Sequence, residues 1–308
     1  MLQEIETYIL ENHYDGEKVP GAEDFVVIYK EHQLFVKLRD DGRLSFPRIS
    51  EWTEPVGKVE KEKFIYLFQI KKEKVERFFL DFSFLHRKDD EEKISENESA
   101  EKEKIFDAFF KKGYSFLTAR KIGSLIPEPK KYVFAAYTAM HLAEWYLEKR
   151  FCGACGKRLH HDTVERAMVC DSCGKKYYPR INPAVIVGVK NGEKLLLTRY
   201  REGYRHNALI AGFCEIGETL EETVEREVYE ETGLLVKNIT YYKSQPWGLA
   251  GDMLAGFFCE VDGDTVIHMD EGELKYAEWV EREKIELQPS DYSLTNEMMR
   301  RFKEGMEK

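Results

Sequence analysis

No apolar run in this chain of 308 residues approaches the roughly twenty residues that a membrane-spanning helix needs. The first stretch, MLQEIETYILENHYDGEKV, has acids where a secretion signal needs bases and an uninterrupted apolar segment. Basic excess is missing too: 47 Lys and Arg stand against 57 Asp and Glu, a formal net charge of −10. A general nucleic-acid or anionic-membrane binder needs a basic footprint. The balance argues against both, while leaving room for a nucleotide whose phosphates are met by metal ions. No internal repeat is present, and the only biased tract is one charge run. Cysteine is scarce: Cys152, Cys155, Cys170, Cys173, Cys214 and Cys259 are all there are. The expectation is a soluble, cytoplasmic protein with no membrane partner, whose paired cysteines serve a metal rather than disulfides.

What the chain does contain is 43% hydrophobic and 13% aromatic residues, enough to bury cores and to exclude wholesale disorder. Its length implies roughly two domains. FVVIYK, QLFVKL and KFIYLFQI, between Phe25 and Ile70, are aromatic and β-branched runs separated by turn signals at Asp40-Asp41-Gly42 and Pro47. Residues 86 to 104 form the charge run, a solvated linker or exposed helix. Residues 105 to 149 read as helices broken at Gly123 and at Pro127 to Pro129. Further on, AVIVGV and KLLLTRY are strands joined by an Asn191-Gly192 hairpin turn. A helix from about Thr219 to Thr232 ends at Gly233, then NITYYKSQPW, MLAGFFCEV and YAEWVE read as strands, and a last helix covers roughly Ser293 to Lys303.

Two segments carry chemistry. CGACGKRLHHDTVERAMVCDSCGKKYYP sets the pair Cys152 and Cys155 before the pair Cys170 and Cys173. Two C-x-x-C knuckles with glycine after each suit a tetrahedral, structural Zn²⁺ site with no open position. The second segment is REVYEETGL. On a helix, Glu227, Glu230 and Glu231 share one face, and like charges at that spacing repel by a few tenths of a kcal/mol per pair. Hard divalent cations such as Mg²⁺ or Mn²⁺ take oxygen ligands shared with substrate phosphates and offset that repulsion. Arg226 is placed to hold a neighbouring carboxylate in orientation.

Widened, the segment reads AGFCEIGETLEETVEREVYEETGLL, with Gly212, Glu218, Arg226, Glu227, Val228, Glu230, Glu231, Gly233 and Leu234 at the positions of G-x5-E-x7-R-E-U-x-E-E-x-G-U, U being aliphatic. This is the Nudix box, and the chain resembles the Nudix hydrolases. The resemblance implies metal ligation by Glu227 and Glu231, an accessory role for Glu230 in ligation or water activation, and a backbone ligand at Ala211. A ribbon before the box, with RFCGACG and YYPRINPAVIV, and SQPW beyond it at Ser244 to Trp247, is similar to the NADH pyrophosphatase family. That family carries S-Q-P-W-P-F-P-x-S where this chain reads SQPWGLAGD.

The fold implied is α+β: a Nudix α/β/α sandwich with a mixed sheet, preceded by a zinc ribbon and a strand-rich amino-terminal domain. The expected divisions are 1–125 (with the charged linker at about 86–104), a connecting helix at 126–149, the ribbon at 150–180 and the Nudix domain at 181–308. The implied activity is hydrolysis of the pyrophosphate of NAD(H) to NMN(H) and AMP, extending to NAD-capped RNA, in a homodimer. Implied substrate contacts are Glu165, Tyr178 and Phe213, the run Gln245, Pro246, Trp247, Gly248, Leu249, Ala250, Gly251 and Asp252, and Thr295. Glu273, with Glu271 as runner-up, aligns with a further metal carboxylate. The altered segment after Trp247 is expected to be a loosened loop, which puts specificity in question. The alternatives are a Nudix hydrolase of another nucleoside diphosphate derivative such as ADP-ribose, and a non-catalytic binding module. The intact Glu227, Glu230 and Glu231 speak against the latter.

Overall fold

Aromatic and β-branched runs pair where period-2 patterning asks them to. The structure, a computed structural model, describes residues 1–54, 61–85, 96–125, 128–202 and 205–307. It divides into two units, one of residues Ile5–Arg180 and one that joins Met1–Glu4 to Ile181–Lys308.

The first unit holds β1 (Ile9–Glu11), β2 (Phe25–Val27), β3 (Tyr29–Lys30), β4 (Gln33–Leu38), β5 (Leu44–Ser45), α1 (Ile49–Thr53), β6 (Phe64–Lys71), β7 (Val75–Asp81), α2 (Glu96–Lys111), β8 (Tyr114–Thr118), α3 (Ala119–Leu125) and α4 (Lys130–Glu148). One sheet runs β1-β6-β7-β2, and β4 is flanked by β3, β5 and β8 in another. Residues 86–95 of the charge run lie outside the described residues, and its remainder is the start of α2. The reading of 105–149 as helices alone is corrected by β8. The five residues YSFLT pair with β4, where Phe116 meets Phe35 at 4.8 Å between ring centroids. Gly123 does not break a helix either. A Cβ there would lie 2.4 Å from the Tyr137 hydroxyl, so the glycine lets α3 close on α4.

The ribbon belongs to this same unit, with β9 (His160–His161), β10 (Met168–Val169) and β11 (Lys176–Tyr177) in the order β11-β10-β9. The Tyr14 hydroxyl donates to the Asp162 carbonyl at 2.8 Å, and the Arg166 guanidinium lies over the Tyr14 ring and donates to Asn12.

The second unit contains β12 (Asn182–Asn191), β13 (Lys194–Tyr200), β14 (Ile210–Phe213), α5 (Leu220–Thr232), β15 (Leu235–Trp247), β16 (Asp252–Asp262), β17 (Leu274–Glu281) and α6 (Leu294–Lys303). Its sheet runs β15-β16-β12-β13-β17, with β14 paired to β12, and the β12–β16 pair is parallel among antiparallel neighbours. Val224 and Val228 of α5 cover one face with Val185, Val187 and Leu196. Leu294, Met298, Met299 and Phe302 of α6 cover the other with Ile186, Leu195, Leu197 and Phe258. A mixed sheet between two helical layers is the sandwich expected from the box. No helix among the described residues is long and apolar enough to cross a membrane.

Candidate active site and metal centres

The carboxylate helix starts on a reciprocal cap. Thr219 accepts from the Glu222 amide while Glu222 accepts from the Thr219 amide, and Gly233 closes the far end at φ 69°. Between these ends Arg226 acts as a fork. Its Nε and Nη2 reach Glu218 at 2.6 and 2.9 Å, Nη1 reaches Glu227 at 2.7 Å and Glu230 at 3.0 Å, and Nη2 also donates to the Phe213 carbonyl at 2.9 Å. One planar cation thus ties the loop to the helix and aims two acids. The contact draws the Glu218 pKa down to about 2.

Glu231 is the opposite case. It is 2% exposed, and neither carboxylate oxygen has a hydrogen-bond partner. Burial first, then the charges of Glu227 and Glu273, push its pKa up to about 8. The Ala211 backbone lies close enough to pull the other way, though not in hydrogen-bond geometry. Burial also raises Glu227, against the pull of Arg226. Gly212 explains its own presence in the box: a Cβ there would sit 1.9 Å from the Glu227 carboxyl carbon.

Ala211, Arg226, Glu227, Glu230 and Glu231 are therefore gathered where α5 meets β14, with Glu273 close enough for its charge to act on both Glu227 and Glu231. Together they carry more negative charge than Arg226 offsets, and all their donors are oxygen, which fits a hard divalent cation. Among the described residues, the four cysteines are the group of three or more whose metal-ligating atoms all lie within 4.8 Å of one another.

Two residues near the acids escaped the sequence reading. Asp270 donates its amide to the Glu231 carbonyl at 2.9 Å. Tyr200, the last residue of β13, has its phenol held well above the usual range by burial and then by the charges of Glu231, Glu273 and Glu227. Alternation along KLLLTRY could have put Tyr200 on the α5 face with Leu196, but nothing in sequence tells which face meets the acids.

The segment after Trp247 is corrected. Residues 248–251 form a tight turn between β15 and β16, with Trp247 opposite Asp252 and Gly251 at φ 77°. A glycine in the left-handed region permits the short reversal, so the expected loose loop is a hairpin. Gln245 is 0% exposed, and its amide donates to Gln3 and the Tyr292 carbonyl and accepts from the Leu294 amide. Those bonds tie β15 to the start of α6. Pro246, Trp247 and Gly248 to Asp252 run along this hairpin, and Thr295 lies in the first turn of α6. The Phe213 side chain is exposed, and Glu271 and Glu273 both lie at the surface beside β17.

In the first unit, Cys152, Cys155, Cys170 and Cys173 form the four-thiol group. The Gly156 and Gly174 amides each donate back to the first cysteine carbonyl of their knuckle at 2.8 Å, with both glycines at φ 70°. The Tyr177 hydroxyl, 3.2 Å from Cys152 Sγ, favours its thiolate. Four sulfurs so gathered fit a closed zinc site. In the same unit the exposed Tyr178 donates to Glu165 at 3.1 Å, and Lys176 bridges Glu165 and Asp162 at 2.7 and 2.8 Å.

Residues 180–302 match the NUDIX domain, so the second unit is built on a Nudix domain. The curated proteins similar to this chain include the NAD-capped RNA hydrolase NudC of Klebsiella pneumoniae (strain 342), 42% identical over 154 residues, which are 49% of this chain and 58% of that protein. The protein of the same name from Yersinia pestis (strain Pestoides F) is 40% identical over 153 residues, with the same shares. The matched segment thus spans less than two thirds of these relatives. A NUDIX hydrolase crystal structure from Nitrosomonas europaea covers 50% of this chain and 90% of its own, at 20% identity and a TM-score of 0.45.

Proposed function

We propose that the Nudix unit hydrolyses the central pyrophosphate of NAD(H), releasing NMN(H) and AMP, and cleaves the same bond in NAD-capped RNA. The observation that carries this is Glu231, a buried carboxylate with both oxygens unpartnered beside Glu227 and Glu273. Acids placed at such a cost imply a counter-charge that arrives with the substrate. Glu227, Glu231, Glu273 and the Ala211 carbonyl would hold Mg²⁺ or Mn²⁺, which when bound neutralise the pyrophosphate, polarise phosphorus and lower the pKa of an attacking water. Arg226 would hold Glu227 and Glu230 in orientation, and Glu230 would be an accessory ligand or help activate the water. Phe213, Trp247 and Thr295 stay as substrate contacts on the resemblance, as do Glu165 and Tyr178. The thiolate group of the first unit would hold structural Zn²⁺. The reading also carries a cytoplasmic homodimer, which sedimentation at equilibrium would check.

Two things support the substrate: the relatives are NAD-capped RNA hydrolases by name, and SQPW lies in β15. The hairpin at 248–251 favours the second reading, a hydrolase of ADP-ribose, because it replaces the family's Pro-Phe-Pro. Incubation of the protein with Mg²⁺ or Mn²⁺ and NADH, ADP-ribose, diadenosine polyphosphates or NAD-capped RNA decides between them. NADH and the capped RNA are expected to turn over fastest, and faster cleavage of ADP-ribose than of NADH overturns the assignment.

A further inference from the structure

Strand alternation places Leu196, Thr198 and Tyr200 of β13 on one face. Leu196 packs there with Val224 and Val228 of α5, the helix that carries Glu227 and Glu231. Register brings the end of β13 to the other acid: Tyr200 is opposite Leu274, and the Arg201 amide donates to the Glu273 carbonyl at 3.0 Å. The charges of all three acids act on the Tyr200 phenol. Even so, its hydroxyl makes no hydrogen bond among the described residues. Arg226, the other donor at these acids that the hydrogen bonds show, has its fork fully used by Glu218, Glu227, Glu230 and Phe213.

We propose that Tyr200 is a further substrate-binding residue of this site, donating its phenolic hydrogen bond to a non-bridging oxygen of the bound pyrophosphate. The proposal rests on the pyrophosphatase reading. Its chemical logic is charge. A fourth acid facing Glu227, Glu231 and Glu273 would add repulsion against an anionic substrate, and a lysine would compete with the divalent cations for the carboxylates. A neutral phenol does neither and still offers a donor to a phosphate oxygen. Because the hydroxyl has no partner among the described residues, it can bond a ligand without giving up a bond in the fold.

Tyr200→Phe is the test, since it keeps the ring in place and removes only an unpaired hydroxyl. The melting temperature is expected to stay at the wild-type value. In Mg²⁺, the calorimetric Kd for a methylene-bridged, non-hydrolysable NAD analogue should weaken about tenfold, the scale of one hydrogen bond to a charged group. The kcat/KM for NADH should fall at least as far, and Tyr200→Gln, which restores a donor, should recover part of the binding. A wild-type Kd in Tyr200→Phe overturns the proposal, whatever happens to turnover. Glu231→Gln in parallel separates the two claims. If it leaves NADH hydrolysis intact, the pyrophosphatase reading fails; if it abolishes hydrolysis while Tyr200→Phe binds normally, only the role of Tyr200 fails.

Discussion

A carboxylate buried without hydrogen bonds is costly, and Glu231 is one. Glu231→Gln keeps the shape and removes the charge. It is expected to lower turnover by about a thousandfold or more, in line with losses of single groups that act on transition-state charge. In EDTA the same variant should melt above the wild type, because the strained acid is gone. A lower melting point there would mean that Glu231 serves the fold instead. Glu297 shows the reverse balance. Burial opposes its charge, but hydrogen bonds from Arg300 and Arg301 overcome that and bring its pKa down to about 2. A folded pKa below the unfolded value gives stability that is present above the unfolded carboxylate pKa, near 4.3, and is lost as pH falls toward 2. Glu297→Gln should therefore melt below the wild type at pH 7, with the gap closing toward pH 2, as calorimetry would record.

Among the elements, α5 was legible from end to end, because Thr219, Glu222 and Gly233 are local signals that need no tertiary partner. Gly212→Ala tests how tightly the preceding strand is set against it. The new methyl would press on Glu227, and a shift of about an ångström in a positioned ligand can cost a hundredfold in rate. The expected result is a kcat/KM lower by tens to a hundredfold with the fold retained, read from NADH turnover and circular dichroism. β7 and β8 were not legible. Val75-Glu76-Arg77 mixes charge into the run, and YSFLT is five residues between helices, so both depend on pairing with β6 and β4. The hairpin at 248–251 was misread for a related reason. A departure from a family motif says that contacts differ, but the turn geometry came from Gly251 and the register of β15 on β16. Gln245 sits within SQPW, and its buried bonds to Gln3, Tyr292 and Leu294 had no local signal in the sequence.

At the level of the whole molecule, the meeting of side chains was legible where spacing alone dictates it, in the box and the cysteine knuckles. The grouping of the ribbon with residues 5–149 was not, since Tyr14–Asp162 and Arg166–Asn12 join segments about 150 residues apart. Cys170→Ser removes one of four fixed thiolates and should lower the zinc content, measured by atomic absorption, toward none. The first unit should then melt earlier, because binding energy at a structural zinc site is folding energy. Retention of zinc and of the wild-type melting profile would show that the sulfur cluster holds no metal.

Met1 and Leu2 are buried, and the Gln3 amide oxygen accepts from Gln245 across 242 residues of sequence. On a ribosome, residues 1–4 are made long before residues 181–308, the part of the chain whose sheet secures them. Closing so long a loop slows the search more than it weakens the result. Refolding followed by hydrogen exchange should find the Leu2 amide, which is bonded to the Tyr292 carbonyl, among the last to gain protection. For residues 1–4, early synthesis is then expected to go with late assembly.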